Sequence, residues 1–105
     1  MHIIISSCPP DRAQALADAL VEQQRAACVT IVPQVASTYR WQGTVQHENE
    51  ALLLIKVPKY ALDACLASLR AVHPYEVPEI LVLDPTQVDA AYLAWARAQV
   101  PRGFG

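Results

Sequence analysis

From Cys28 to Val57 the chain shows no helical stripe and one turn signal, Gln42-Gly43. Val29, Thr30, Ile31, Val32, Val35, Thr38, Tyr39 and Trp41 precede that turn; Val45, Leu52, Leu53, Leu54, Ile55 and Val57 follow it. β-Branched, aromatic and aliphatic residues on both sides of a glycine predict a hairpin turning near Gly43. Its first arm, Cys28 to Gln42, is fifteen residues. Even with a bend at Pro33, twelve extended residues at ~3.3 Å each reach about 40 Å. A compact domain of ~100 residues has a radius of gyration of about 13 Å and is only about 35 Å across. The hairpin tip, with Tyr39, Trp41 and Val45, is therefore expected to project from its own core. Exposed strand edges invite pairing. The simplest cover is another copy of the chain in a closed symmetric ring, and Trp and Tyr are the residue types that anchor interfaces. The alternative is that Trp41 folds back over its own sheet.

The flanking segments set the class. His2 to Ser7 is short and β-branched and reads as a buried strand. Pro9 and Pro10 stop it and suit the first turn of a helix. Ala13, Leu16, Ala17, Leu20 and Val21 follow at helical spacing. A second helix is expected from about Pro58 to Val72, with Leu62, Cys65, Leu66 and Leu69 inward, ended by Pro74. A third is expected from near Thr86, where Thr86-Gln87-Val88-Asp89 fits a capping pattern, with Val88, Ala91, Tyr92 and Trp95 as its stripe. Glu79 to Leu83 reads as a last strand, and Pro101 to Gly105 as a non-helical tail. The order β-α-β-β-α-β, then α, is the α+β, ferredoxin-like split βαβ arrangement with a long central β-hairpin and an extra C-terminal helix. Residues 1–105 read as one domain.

Composition removes several function classes. The hydrophobic fraction of 53% with 17% charged residues excludes disorder. A formal net charge of −2 offers no basic surplus for nucleic acid. The longest aliphatic run, Ala51 to Ile55, is far short of the ~20 residues of a membrane span. Met1-His2-Ile3-Ile4-Ile5 lacks the basic start and long apolar run of a secretory signal, so a cytoplasmic location is expected. Cys8, Cys28 and Cys65 are odd in number and widely spaced, which argues against a disulfide framework.

Chemistry is concentrated in His73-Pro74-Tyr75-Glu76-Val77-Pro78-Glu79-Ile80, where two prolines stiffen a loop that carries imidazole, phenol and carboxylates. A ligand site and a structural turn are both open on this pattern. His47-Glu48-Asn49-Glu50 reads as a solvated strand end, with Glu48 and Glu50 on one face and His47 on the other. Cys28 would need a nearby cation or base to act as a thiolate. GxSxG, a P-loop, GxGxxG and HExxH are absent.

Taken together, Ala26-Ala27-Cys28-Val29, Val32-Pro33, Ser37-x-Tyr39-x-Trp41-x-Gly43, Leu52-Leu53-Leu54-Ile55-Lys56, the His73–Ile80 run and Tyr92-Leu93-x-Trp95 resemble the CutA family of divalent-cation tolerance proteins over nearly the whole chain. The resemblance implies a tight homotrimer whose hairpins wrap neighbouring subunits, an assembly similar to PII signalling proteins, and a role in tolerance of divalent metals. It implies copper or another divalent cation as the ligand, held here by His73 and by Cys8. Val72 stands where a second histidine is expected, and Ser6 near the place of the family's strand-end cysteine. Thr30, Thr44 and Val57 are further departures. The expected role is non-enzymatic, with trimer contacts at Tyr39, Trp41 and Val45. The alternative is a PII-like adaptor binding a small anion or partner in an inter-subunit cleft, with Cys28, Lys56, Tyr75, Glu76 and Arg40 as candidates. An acylphosphatase-like enzyme is disfavoured, because Ser6 to Pro10 holds no glycine. RNA binding is disfavoured by the absent aromatic motif and the negative charge.

Overall fold

Four antiparallel strands form one sheet in the order β2-β3-β1-β4, where β1 is His2–Cys8, β2 Cys28–Trp41, β3 Thr44–Val57 and β4 Ile80–Leu83. The structure, a computed structural model, describes residues 1–102. The end of the expected tail, residues 103–105, lies outside the described residues. Helices α1 (Ala13–Glu22), α2 (Leu62–Val72) and α3 (Ala90–Gln99) complete the expected α+β order. Among the described residues no helix is long and apolar enough to cross a membrane.

Both arms of the hairpin are 14 residues. They pair from Cys28↔Lys56 to Trp41↔Thr44, interrupted by a bulge between Val32 and Val35. Pro33 lies inside that bulge, where the missing N–H costs no ladder bond. Gln42 at φ 51° and Gly43 at φ 82° turn the chain in two residues, as the twist of a tight hairpin requires. The molecule is drawn out to 44 × 28 × 21 Å with a radius of gyration of 14.4 Å, more extended than the about 13 Å of a compact chain this size.

The two sheet faces differ. Ile4, Ser6 and Cys8 of β1 and Ala51, Leu53, Ile55 and Val57 of β3 are buried on the helix side. They share one core with Leu16 and Leu20 of α1 and Cys65 and Leu69 of α2. The alternate residues, Ile3, Ile5, Leu52 and Leu54, are only half-buried on the opposite face. Leu81 and Leu83 are paired with Ile5 and Ile3, extend that face to the sheet edge, and are exposed.

Three helical expectations are corrected. Val21 is exposed, because it sits at the edge of the arc that Ala13, Leu16, Ala17 and Leu20 share and α1 ends one residue later. That closure puts Gln24 at φ 56° and lets the Arg25 amide donate to the Leu20 carbonyl, a turn that glycine usually makes. Helix α3 starts at Ala90, not Thr86. Asp89 caps it, accepting from the Ala91 and Tyr92 amides at 3.1 and 3.2 Å. Its inward face is Leu93, Ala96 and Val100, whereas Tyr92 and Trp95 are exposed and stack on each other at 5.7 Å. Every residue from Ala90 to Ala96 is apolar, so the spacing 92–95 and the spacing 93–96–100 look equally good in sequence.

Candidate functional site

Helix α2 stops at His73, whose backbone is extended (φ −70°, ψ 132°) ahead of Pro74. The loop of residues 73–79 then runs back along the sheet. His73 anchors it: Nε2 lies 2.8 Å from the Ser7 carbonyl, and Nδ1 accepts the Tyr75 amide at 3.1 Å. A carbonyl can only accept, so Nε2 carries the proton and the ring is neutral. The Tyr75 hydroxyl donates to Glu50 Oε2 at 2.8 Å, and the Ser6 hydroxyl donates to the Glu79 carbonyl at 2.7 Å. Glu50 belongs to β3, opposite Val35 where pairing resumes after the bulge. The relay Ser7–His73–Tyr75–Glu50 thus ties β1, the end of α2 and the hairpin together. Burial, then the hydrogen bond to Glu50, raises the Tyr75 phenol above its ordinary pKa.

Between this loop and the hairpin lies an open groove of about 690 Å³. Ser37, Tyr39 and Trp41 line it from β2, and Glu50, Tyr75, Glu76 and Glu79 from the other side. Tyr39 and Trp41 alternate along β2 on the face that carries Glu50. Glu50 is only 6% exposed. Its burial corrects the expectation of a solvated 47–50 cluster; His47 and Glu48 are exposed as expected. Alternation sets this carboxylate on the half-buried face of Leu52 and Leu54, together with exposed Glu48, so the period alone does not mark Glu50 as buried.

The structure divides the expected cleft residues. Tyr75 and Glu76 meet Tyr39 and Trp41 in the groove. Cys28 and Lys56 do not join them. They are register partners at the far end of the hairpin. Lys56 Nζ donates to the Thr30 hydroxyl and to the Leu54 carbonyl. Cys28 sits beside Tyr92, whose phenol is raised by burial and by that thiol. Arg40 is spent on the turn, donating to the Gly43 carbonyl at 3.1 Å. Val45 is exposed near the tip, one residue out of phase with the groove-facing side of β3.

The residues expected to hold a metal do not fit one in this arrangement. Both His73 ring nitrogens are engaged. Cys8 has no exposed surface, and burial pushes its thiol pKa up, away from the thiolate a metal needs. Among the described residues no three His, Cys, Asp or Glu side chains are grouped to hold a metal ion.

Residues 2–99 match the family model described as CutA1 divalent ion tolerance protein. The divalent-cation tolerance protein CutA of Thermus thermophilus is 42% identical over 97 residues, covering 91% of this chain and 94% of the relative. The human Protein CutA is 39% identical over 92 residues, 87% of this chain; the match spans about half of that relative, 51%. A solved structure described as PII-like protein CutA from Nostoc sp., in apo form, superposes with a TM-score of 0.91 at 29% identity, covering 96% of this chain and 98% of the other.

Proposed function

The chain belongs to the CutA1 family of divalent ion tolerance proteins, and from that premise we propose that it acts as a non-enzymatic homotrimer in the tolerance of, or response to, divalent cations. In this reading residues 1–105 form one domain and work in the cytoplasm. The observation that carries the assembly is the sheet face opposite the helices: Ile3, Ile5, Leu52 and Leu54 are half-buried and Leu81 and Leu83 are exposed, beside a hairpin whose tip exposes Tyr39, Trp41 and Val45. An apolar face with an adjoining free edge is what a second and third copy would cover. Tyr39, Trp41 and Val45 are the proposed trimer contacts, and Cys28 and Lys56 line a second proposed inter-subunit cleft, separate from the groove at Tyr75 and Glu76.

Copper capture by His73 and Cys8 has little support in this geometry. A metal at His73 must displace either the Tyr75 amide or the Ser7 carbonyl. The divalent-cation role is therefore proposed without an ion at these two residues. At the Tyr75 and Glu76 groove the anion-binding alternative loses support as well, because its walls carry three carboxylates and no lysine or arginine.

The test is complementation. In cells lacking their own copy, the wild-type chain restores growth under copper or zinc stress, and Trp41→Glu, which breaks the assembly, does not. Growth that is independent of the chain, or equal rescue by a monomeric Trp41→Glu, would overturn the proposal.

A further inference from the structure

We infer that Lys56 of one copy enters the acidic groove of the next and pairs there with Glu50, so that the groove is complete only between subunits. Lys56 is the starting point. It lies on the sheet face opposite the helices, directly across from Ile3 and in alternation with Leu52 and Leu54. That is the face the copies would cover. Lys56 is half-buried there, and its ammonium donates to two neutral oxygens, the Thr30 hydroxyl and the Leu54 carbonyl. Among the described residues no carboxylate pairs with it. An ammonium has three N–H groups, and covering the face removes the water left to it. A lysine enclosed in this way without an opposite charge is costly.

The carboxylates narrow the partner. Asp84 pairs with Lys59, and Asp89 caps α3. Asp11, Asp18, Glu22 and Asp63 belong to the helix layer, on the other side of the sheet. What remains is Glu48, exposed toward the tip, and Glu50, Glu76 and Glu79 of the groove. Of these four only Glu50 is buried, and it shares the sheet face of Lys56. The two cannot meet on one chain, because the strand between them sets them about 20 Å apart. A closed ring removes the obstacle. Each of its junctions joins two different patches, here the basic end of one hairpin and the acidic wall of the next. Tyr39 and Trp41, the proposed trimer contacts, flank that wall, and aromatic rings favour an arriving ammonium. Tyr75 keeps its own bond to Glu50 Oε2, and the lysine adds to it. The Cys28–Lys56 end and the groove, apart on one chain, thus become one cleft at each junction.

This pairing rests on the homotrimer reading, and light scattering separates the two: a wild-type particle of single-chain mass overturns both, whereas a ring without the pairing overturns only the pairing. The test is a double-mutant cycle on assembly, read as the protomer concentration at which half of the assembled mass is lost. Lys56→Met and Glu50→Gln should each raise that concentration about tenfold or more, as loss of a charge-assisted contact at every junction does. The double variant should assemble at least as well as the weaker single variant. Because the two side chains cannot meet within a chain, such coupling is coupling between copies. Effects that multiply in the double variant would overturn the inference, as would single variants that assemble like the wild type. Rings formed from a mixture of light and heavy-nitrogen wild-type chains keep the test alive if a variant misfolds. A zero-length carbodiimide should join Lys56 to Glu50 across a light and a heavy chain. A Lys56 link confined to one chain, a link to another carboxylate, or no link at all would overturn the inference.

Discussion

Replacing Tyr75 by Phe keeps the ring and removes one hydroxyl. That hydroxyl is the described donor to Glu50, a carboxylate only 6% exposed. A hydrogen bond to an ionised group contributes about 1.5–3 kcal/mol. Water in the open groove can replace part of it at Oε1, less at Oε2, so the lower half of that range, about 1.5–2 kcal/mol, is expected. At fixed protomer concentration this lowers the melting temperature by roughly 6–16 °C, taking ~4–8 °C per kcal/mol for a domain of this size. The pH dependence has a definite sign. The folded Tyr75 phenol is raised above its ordinary value by burial and by Glu50. The folded state keeps a proton that the unfolded chain releases near its ordinary pKa of about 10. The wild-type advantage over Tyr75→Phe is therefore full at neutral pH and is lost as pH rises beyond about 10. Urea denaturation of both proteins at pH 7, 9 and 11 measures this. A cost below about 0.5 kcal/mol at pH 7, or a difference that does not shrink at pH 11, would refute the relay.

Other consequences are simpler. Burial raises the Cys65 thiol to about 12 and also raises Cys8, so a thiol reagent at pH 8 should label half-buried Cys28 first; a fast phase that survives Cys28→Ser would contradict this. His73→Ala should destabilise the fold by about 1–3 kcal/mol through loss of its two bonds and leave copper stoichiometry in calorimetry unchanged; loss of bound copper in the folded variant would return His73 to a metal site. Asp89→Ala should cost about 1 kcal/mol as a lost helix cap, measured by urea denaturation, and Thr86→Ala almost nothing; the reverse order would restore the helix start at Thr86.

Much of the fold was legible because it is written in prolines, glycine and period. Pro33 marks the bulge, Gly43 the turn, Pro74 the end of α2, and the strand lengths foretell the elongated shape. Helix α3 was not, since an unbroken apolar run carries no preferred face. The site was legible as a loop but not as an arrangement. Tyr75 finds Glu50 across 25 residues, and nothing local to the 47–50 stretch announces a partner. Cys28 and Lys56 share the two hairpin strands with Tyr39, Trp41 and Glu50 yet lie at the other end of the hairpin, because each strand is fourteen extended residues long. His73 carries the right element for a metal, but its surroundings consume both nitrogens, which only the fold reveals.

The measurement that bears most directly on the assembly is the mass in dilute buffer by light scattering, with Trp41→Glu alongside. The trimer proposed from the family predicts a particle three times the 11.5 kDa chain, in which the Leu81 and Leu83 face and the projecting tip are covered, and a smaller one for Trp41→Glu. A wild-type particle of 11.5 kDa that still melts cooperatively would contradict the account.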